Sequence, residues 1–305
     1  MRISKKCRNW AYSTVSITVS TMPVDGTLPN LIIMGAQKCA TTSLHYYLNL
    51  HPQIFMSAEK ELRFFIQEHN WHNGVAWYKS HFAGNAKIHG EASPGYTNYP
   101  FFDGVPERMY SIVPEAKLIY ILRDPIERMI SQYVHCYAEG GEDRTIDDAL
   151  SDRDNNPYAL RSRYYMQLKQ YLKYFPQSHI LVLTQEDLRQ YRRETMQHAF
   201  RFLRVDDTFY SRRFSLTKHP SSWKRRKTPF GRFLAQTPIA NTIKRLPYGI
   251  RVKAEDMVYL PFSRKIMRPE LREALRKTLT GYLKDDIDCL RAYTGRSFEE
   301  WCIRS

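Results

Sequence analysis

The sequence predicts an α/β fold with three layers, in which a parallel sheet carries helices on both faces. Three short apolar runs indicate the strands: LIIM at 31–34, KLIYIL at 117–122 and HILVL at 179–183. Continuous runs of this kind are typical of parallel strands that are buried on both faces. A helical pattern follows each run, at about 41–50, 126–138 and 186–203. Strands that alternate with helices favour right-handed crossovers within one sheet.

Length and composition favour one large globular domain. The chain has 305 residues, of which 43% are hydrophobic, and it shows no internal repeat. We expect residues 1–28 to be a flexible N-terminal arm and residues 29–305 to be a single domain. Within that domain we expect a basic loop region at about 206–265 and a C-terminal helical segment at about 269–305, whose helix stops near Gly295.

The charge balance favours anionic partners. The chain carries 46 Lys and Arg against 31 Asp and Glu, a net charge of +15, which suits nucleotides, acidic glycans, nucleic acid or a membrane surface alike. The five cysteines are scattered and form no C-x-x-C pair, so neither a disulfide scaffold nor a zinc site is indicated. The N-terminal apolar stretch is interrupted by Ser and Thr, so no stable membrane span is expected.

The stretch GAQKCATTS, residues 35–43, follows the first predicted strand and leads into a helix. Helix-start N–H groups face an anion, the helix dipole favours it, and Lys38 adds a positive charge. The second glycine of the G-x-x-x-x-G-K-[ST] pattern is missing. An ordinary nucleoside triphosphatase is therefore disfavoured.

A second anion motif, RDPIERMIS at 123–131, follows the second predicted strand. The guanidinium fork of Arg123 suits a terminal phosphate, and the Ser131 hydroxyl can add a donor. Asp124 is expected to cap the following helix, with Pro125 in its first turn. The carboxyl ends of parallel strands are where such sheets bind ligands, so both motifs are expected at one edge.

Together these stretches resemble the sulfotransferases that use 3′-phosphoadenosine 5′-phosphosulfate (PAPS). GAQKCATTSL is similar to their 5′-phosphosulfate loop, and YILRDPIERMISQYVH is similar to their 3′-phosphate motif. The element KELRFF within HPQIFMSAEKELRFF points to the branch of heparan sulfate O- and N-sulfotransferases and their bacterial homologues. The resemblance implies the P-loop-like sulfotransferase fold, PAPS as sulfuryl donor and no metal.

The resemblance also implies a set of donor-binding residues in the two motifs and in the basic stretch HPSSWKRRKTP at 219–229. A charge run alone is equally typical of a solvated loop or a nucleic-acid patch, and the register of this stretch is left open. The implied donor-binding residues are Gln37, Lys38, Cys39, Ala40, Thr41, Thr42, Ser43, Arg123, Ser131, Ser222, Trp223, Lys224, Arg225 and Arg226.

For catalysis, the resemblance implies Glu61 as general base, Lys38 as the residue that stabilises the leaving phosphate, and Lys60 beside the sulfuryl or acceptor group. A carboxyl in a partly desolvated cleft is expected to have a raised pKa. Glu91 is the alternative base, or else a buried acid at a strand end. The weaker candidates are His81, His89 and His135.

Acceptor contacts are expected from Arg63, Glu91, Ser93, Arg163 and Tyr164. Relatives often carry His at the position of Arg63 and Lys at that of Ala92, so the contacts here can differ. Arg163 and Tyr164 either line the acceptor cleft or brace the helix that follows them. Phe64 and Phe65 are predicted to be core residues.

The predicted function is transfer of a sulfuryl group from PAPS to a hydroxyl or amine of a carbohydrate-like acceptor, which can be a glycan, a glycolipid or a small polar molecule. The alternatives are a polyanion- or nucleic-acid-binding protein and a nucleotide kinase; a nucleic-acid partner is not expected. The absence of a clear N-terminal anchor favours the bacterial cytoplasm over the Golgi lumen.

Overall fold

The computed structural model describes residues 26–216, 225–234, 237, 242, 254 and 257–303. They belong to two compact units. The larger unit comprises the described residues of 26–129, 152–216 and 273–303, and the smaller one those of 130–151 and 225–272. A single domain from residue 29 onward stays a prediction.

A parallel sheet of five strands forms the centre of the larger unit, in the order β2-β3-β1-β4-β5. The central strand β1 pairs with β3 on one side, where Leu31 lies opposite Gly90, and with β4 on the other, where Leu31 lies opposite Lys117. The strands are β1 Leu31–Gly35, β2 Ile54–Met56, β3 Ile88–Ala92, β4 Lys117–Leu122 and β5 Ile180–Thr184.

Helices connect these strands, and α4 runs from the larger unit into the smaller one. The smaller unit also contains an antiparallel pair, β6 Arg225–Lys227 and β7 Ser263–Lys265. Among the described residues the helices are α1 Thr41–Leu48, α2 Gly74–Lys79, α3 Val105–Ile112, α4 Pro125–Ala138, α5 Ile146–Ser151, α6 Pro157–Leu160, α7 Tyr164–Tyr171, α8 Gln185–Gln190, α9 Arg192–Leu203, α10 Pro229–Leu234 and α11 Glu273–Thr294.

The two faces of the sheet pack against different helices, because successive strand side chains point in opposite directions. On one face Ile33 belongs to a buried apolar cluster with Leu44 of α1 and Phe200 of α9. On the other face the Tyr120 ring meets the Tyr164 ring of α7 edge-on, with 6.1 Å between the centroids. The prediction of a parallel sheet with helices on both faces is confirmed.

The strands predicted from the apolar runs are confirmed. Strand β2 was not predicted, and β3 was anticipated only in the alternative that places Glu91 at a strand end. The helix expected over 186–203 is interrupted: α8 ends at Gln190 and α9 begins at Arg192. Between them the backbone of Tyr191 leaves the helical region, at φ −121° and ψ 51°. The Thr184 side chain, which accepts from the Asp187 N–H, fixes the start of α8 at the end of β5.

Helix α11 ends as predicted, since Gly295 follows it with a left-handed φ of 69°. This helix also fixes the start of α7. The buried carboxylate of Asp286 accepts hydrogen bonds from the N–H groups of Tyr165 and Met166, each at 2.9 Å. Burial raises the pKa of Asp286 to about 6.

Within the described part of the chain, every helix is too short or too polar to cross a bilayer. The same residues contain no cluster of His, Cys, Asp and Glu side chains suited to holding a metal ion.

Candidate active site

The first anion motif forms the loop between β1 and α1. It begins at Gly35, where a Cβ atom would lie 2.1 Å from Thr97 Oγ1 and 2.9 Å from the Tyr120 ring. Only glycine fits this close approach. The lack of space around Gly35 explains why the motif has a glycine at this position, although the second glycine of the G-x-x-x-x-G-K-[ST] pattern is missing.

Two residues of the loop, Lys38 and Ala40, have left-handed backbones with φ values of 72° and 61°. Ala40 caps α1 without a side-chain hydrogen bond, and the first turn contains no acidic residue. The first N–H groups of a helix have no acceptor within it, so those of α1 can bind an anion. Thr41 and Ser43 are buried there, and Thr42 is half-buried.

Two other side chains of the motif hold the loop in place. Cys39 is fully buried, and its thiol lies 3.9 Å from the Tyr164 hydroxyl. Burial raises the pKa of Cys39 to about 12, so the thiol is neutral. Gln37 Oε1 accepts a hydrogen bond from Arg161 Nη1 at 2.7 Å. Donor contacts of Gln37 and Cys39 stay predictions.

The second anion motif follows β4, and its corner is built as predicted. Asp124 Oδ1 accepts from the Glu127 N–H at 2.9 Å, and α4 begins at Pro125. Asp124 Oδ2 accepts from the Cys302 N–H at 2.6 Å. Arg123 Nη2 lies 3.1 Å from Glu127 Oε2, with 13% of the Arg123 side chain exposed.

Three other predicted donor residues belong to the smaller unit. Ser131 is a buried residue of α4. Arg226 belongs to β6, where its guanidinium lies 3.8 Å from the centre of the Tyr137 ring and forms an ion pair with Asp143. Arg225 belongs to the same strand, and its Nε donates to Ser263 Oγ at 2.8 Å. Their donor contacts stay predictions. Ser222, Trp223 and Lys224 lie outside the described residues.

Glu61 lies beside the end of β3, where its N–H donates to the Ala92 carbonyl at 2.9 Å. Its carboxylate is 3.3 Å from Lys60 Nζ and 2.7 Å from Arg63 Nη2, and 32% of its side chain is exposed. Burial raises the pKa of Glu61, but the charges and hydrogen bonds of Lys60 and Arg63 outweigh that effect, so the pKa is lowered. The expectation of a raised pKa was therefore wrong.

Glu91 is fully buried within β3 and is surrounded by hydroxyl groups. Its carboxylate accepts from Tyr78 at 2.6 Å, Tyr96 at 2.7 Å and Ser93 at 2.6 Å. Burial raises the pKa of Glu91, although the three hydroxyls oppose the shift. This environment matches the alternative of a buried acid with satisfied hydrogen bonds. A direct contact between Glu91 and the acceptor stays a prediction.

Ser93 connects the two glutamates. Its hydroxyl donates to Glu91 and accepts from the Arg63 N–H at 3.0 Å. Glu61 and Arg63 both have left-handed backbones, with φ values of 65° and 50°. Non-glycine residues adopt this conformation only where the surroundings hold it, and here the Ala92 carbonyl and the Ser93 hydroxyl do so.

The last two predicted acceptor residues, Arg163 and Tyr164, differ in their exposure to solvent. Arg163 is partly exposed, lies 3.9 Å from Asp286 and stacks over the Tyr282 ring at 5.5 Å. Tyr164 is fully buried, and its hydroxyl donates to the Arg123 carbonyl at 2.7 Å. Tyr164 thus braces the structure rather than lining an open cleft.

Phe64 and Phe65 are core residues as predicted, with 1% and 0% exposure. Two of the three histidine candidates are held by backbone groups: His81 Nδ1 lies 2.8 Å from the Trp77 carbonyl, and His89 Nε2 lies 3.1 Å from the Gly84 carbonyl. Such contacts are typical of histidines that pack against the backbone rather than of a general base. A role of His135 as base stays a prediction.

Three residues near the motifs were missed by sequence reasoning: Arg128, Arg161 and Ser162. Arg128 is fully buried, and its Nε donates to Ser162 Oγ at 2.6 Å. In the sequence, Arg128 stands out only as a cation between the apolar residues Ile126 and Met129 of a predicted helix. Arg161 lies two residues before the predicted acceptor residue Arg163, but its partner Gln37 is 124 residues away.

The model of the sulfotransferase domain family matches residues 28–229. This match includes both anion motifs and the Glu61 region.

Several curated proteins are similar to parts of this chain. The membrane-associated sulfotransferase kil1 of Dictyostelium discoideum is 42% identical over 120 residues, covering 37% of this chain and 24% of that protein. The human bifunctional heparan sulfate N-deacetylase/N-sulfotransferase 2 is 30% identical over 199 residues, covering 58% of this chain and 22% of that protein. The mouse heparan sulfate glucosamine 3-O-sulfotransferase 5 is 35% identical over 169 residues, covering 50% of this chain and 47% of that protein. The chain spans less than half the length of each of these relatives.

Among solved structures, the sulfotransferase from Alicyclobacillus acidocaldarius has a similar fold. The TM-score is 0.66 at 23% sequence identity, and the match covers 90% of this chain and 99% of that one. The similarity supports the fold described above.

Proposed function

The chain belongs to the sulfotransferase domain family, and we propose that it transfers a sulfuryl group from PAPS to a hydroxyl or amine of a carbohydrate acceptor. The observation that carries this proposal is the position of the two anion motifs, which follow the neighbouring parallel strands β1 and β4. After β1 the chain forms β2 and β3 on one side of it, and then β4 and β5 on the other. Ligands of such sheets bind in the crevice where the strand order reverses.

A donor with two anionic ends matches two anion motifs at one edge. The N–H groups at the start of α1 and the hydroxyls of Thr41, Thr42 and Ser43 would hold the 5′-phosphosulfate. Lys38 would neutralise the charge that develops on the leaving phosphate. Arg123, at the end of β4, would bind the 3′-phosphate through its guanidinium fork. PAPS itself supplies the sulfuryl group and leaves as adenosine 3′,5′-bisphosphate.

Glu61 is the group that would take the acceptor proton. It lies at the end of β3, the neighbour of β1, so it belongs to the same edge as the first anion loop. Its lowered pKa keeps the carboxylate ionised at neutral pH. A weak base of this kind accepts the proton late in the transfer step, because the acceptor hydroxyl or amine becomes more acidic as its bond to sulfur forms. Lys60 would add positive charge beside the sulfuryl oxygens.

The acceptor class follows from the relatives and from the charge. Two of the similar proteins are named for heparan sulfate, which supports a carbohydrate acceptor. The net charge of +15 suits an acidic one.

A transfer assay tests the proposal directly. The protein is incubated with sulfur-labelled PAPS and a panel of glycans, glycolipids and phenols, and calorimetry measures binding of adenosine 3′,5′-bisphosphate. We expect label in a carbohydrate, and a loss of at least about a hundredfold in turnover for Lys38→Ala. Failure of the wild-type protein to bind the bisphosphate would contradict the proposal. Transfer confined to phenols would contradict the acceptor class alone.

A further inference from the structure

The four residues Arg161 to Tyr164, which we call the RSRY segment, run from the end of α6 to the first residue of α7 in the larger unit. Three of its side chains contact the two anion motifs rather than an open cleft. We propose that the RSRY segment is a positioning bracket that fixes the distance between the two motifs and thereby sets the affinity for a two-ended donor. The inference rests on the proposed use of PAPS.

The Tyr164 hydroxyl contacts both motifs at once. It donates to the Arg123 carbonyl at 2.7 Å and lies 3.9 Å from the Cys39 sulfur. The ring is fully buried, with its centroid 5.8 Å from that of Trp301. A rigid aromatic side chain therefore holds the backbone of one motif beside the turn of the other.

Arg161 makes a second connection to the first motif. Its Nη1 donates to Gln37 Oε1 at 2.7 Å, and its Nε donates to Asn98 Oδ1. The planar guanidinium makes these hydrogen bonds in a fixed geometry. The residue directly before Lys38 is thereby tied to the segment.

Ser162 makes a second connection to the other motif. Its hydroxyl donates to the Pro125 carbonyl at 3.1 Å and accepts from Arg128 Nε at 2.6 Å. Both partners belong to the helix that follows Arg123. Ser162 is fully buried, so these hydrogen bonds are shielded from water.

The bracket matters most for a ligand that occupies both motifs. When two binding groups are held at the right separation, the second contact forms at little extra entropic loss. A ligand with one phosphate uses one motif and gains nothing from the spacing. Loss of the bracket should therefore weaken a two-ended ligand selectively.

The test compares Tyr164→Phe with the wild-type protein. The substitution removes one oxygen and retains the buried ring. Calorimetry measures the Kd of adenosine 3′,5′-bisphosphate, adenosine 5′-phosphate and adenosine 3′-phosphate. We expect the bisphosphate to bind about tenfold more weakly, as loss of one buried hydrogen bond implies. Both monophosphates should stay within about twofold.

Tyr171→Phe is the matched control. Tyr171 lies on the same helix, is equally buried, and also donates to a backbone carbonyl, that of Tyr96 at 3.0 Å. It should leave all three Kd values within about twofold. Should Tyr164→Phe fail to fold, Arg161→Lys serves as the second variant, because lysine retains the charge but cannot make both hydrogen bonds of the guanidinium.

Three results would overturn the bracket: an unchanged Kd for the bisphosphate, an equal loss for all three ligands, or an increase confined to the KM of the acceptor. The last would instead place Tyr164 in the acceptor cleft. A wild-type protein that binds no bisphosphate would overturn the proposed function as well, so the two failures are distinguishable.

Discussion

Two glutamates, Glu61 and Glu91, lie near the end of strand β3 and have opposite environments. The backbone N–H of Glu61 donates a hydrogen bond to the carbonyl of Ala92, which is the residue after Glu91. Glu61 contacts two cations, is one-third exposed and has a lowered pKa. Glu91 contacts three hydroxyls, is fully buried and has a raised pKa.

The difference shows how environment assigns roles to chemically identical groups. A carboxylate that reaches solvent beside cations stays ionised and accessible to a substrate. One enclosed by hydroxyls is a structural acceptor, and through Ser93 it holds the N–H of Arg63, whose guanidinium contacts Glu61. Glu91 thus positions the loop on which Glu61 depends.

The largest expected effect is that of Glu61→Gln on turnover. The amide cannot accept the acceptor proton, so turnover should fall by at least about a hundredfold, as for loss of a general base. Labelled PAPS transfer measures it. Affinity for adenosine 3′,5′-bisphosphate should stay within about twofold. The free energy of unfolding should change by only about 1 kcal/mol, because the amide oxygen still accepts hydrogen bonds beside Lys60 and Arg63 and both ion pairs reach solvent. Near-normal turnover would remove Glu61 from the mechanism.

The converse substitution, Glu91→Gln, should mainly affect stability. An amide nitrogen replaces one of the oxygens that accept from hydroxyls, and the lost charge-assisted hydrogen bond lowers the free energy of unfolding by about 2 kcal/mol. Thermal unfolding should show Tm reduced by about 3 °C. Turnover per folded molecule should fall by less than about tenfold. If Glu91→Gln stopped turnover at unchanged Tm, the roles of the two glutamates would be reversed.

The smallest expected effect is a shift in pH dependence for Arg63→Met. In the wild-type protein the pKa of Glu61 lies below its ordinary value of 4.5, so kcat/KM should stay constant as pH falls from 7 to about 5. Removal of the Arg63 charge raises that pKa, so the acidic decline should move to higher pH. Arg201→Met, which removes an exposed cation paired with Asp207, is the control. An unmoved decline would show that Arg63 does not tune Glu61.

The sequence predicted the strands that are continuous apolar runs and missed the others for physical reasons. Strand β2 has only three residues, and β3 contains the buried polar residues His89 and Glu91. A strand that contains buried polar residues has no continuous apolar pattern to reveal it. Glu91 illustrates this, since its burial depends on hydroxyl partners, Tyr78 and Tyr96, that lie outside the strand.

In the candidate site, local features were predictable and long-range ones were not. The Asp124 cap was predicted because it depends on residues within one turn. The direction of the Glu61 pKa shift was not, because burial and two neighbouring cations act in opposite directions and only their distances decide the outcome. The contact between Tyr164 and Arg123 joins residues 41 positions apart, so the sequence alone left Tyr164 with two possible roles.

Asp124 has a consequence for local motion. One carboxylate oxygen fixes the first turn of α4, and the other accepts from the amide of Cys302, 178 residues later. The Cys302 amide proton can exchange with solvent only when the hydrogen bond to Asp124 opens. Its hydrogen–deuterium exchange should therefore follow that of the corner after β4, which makes this single amide a reporter of openings in the predicted 3′-phosphate motif.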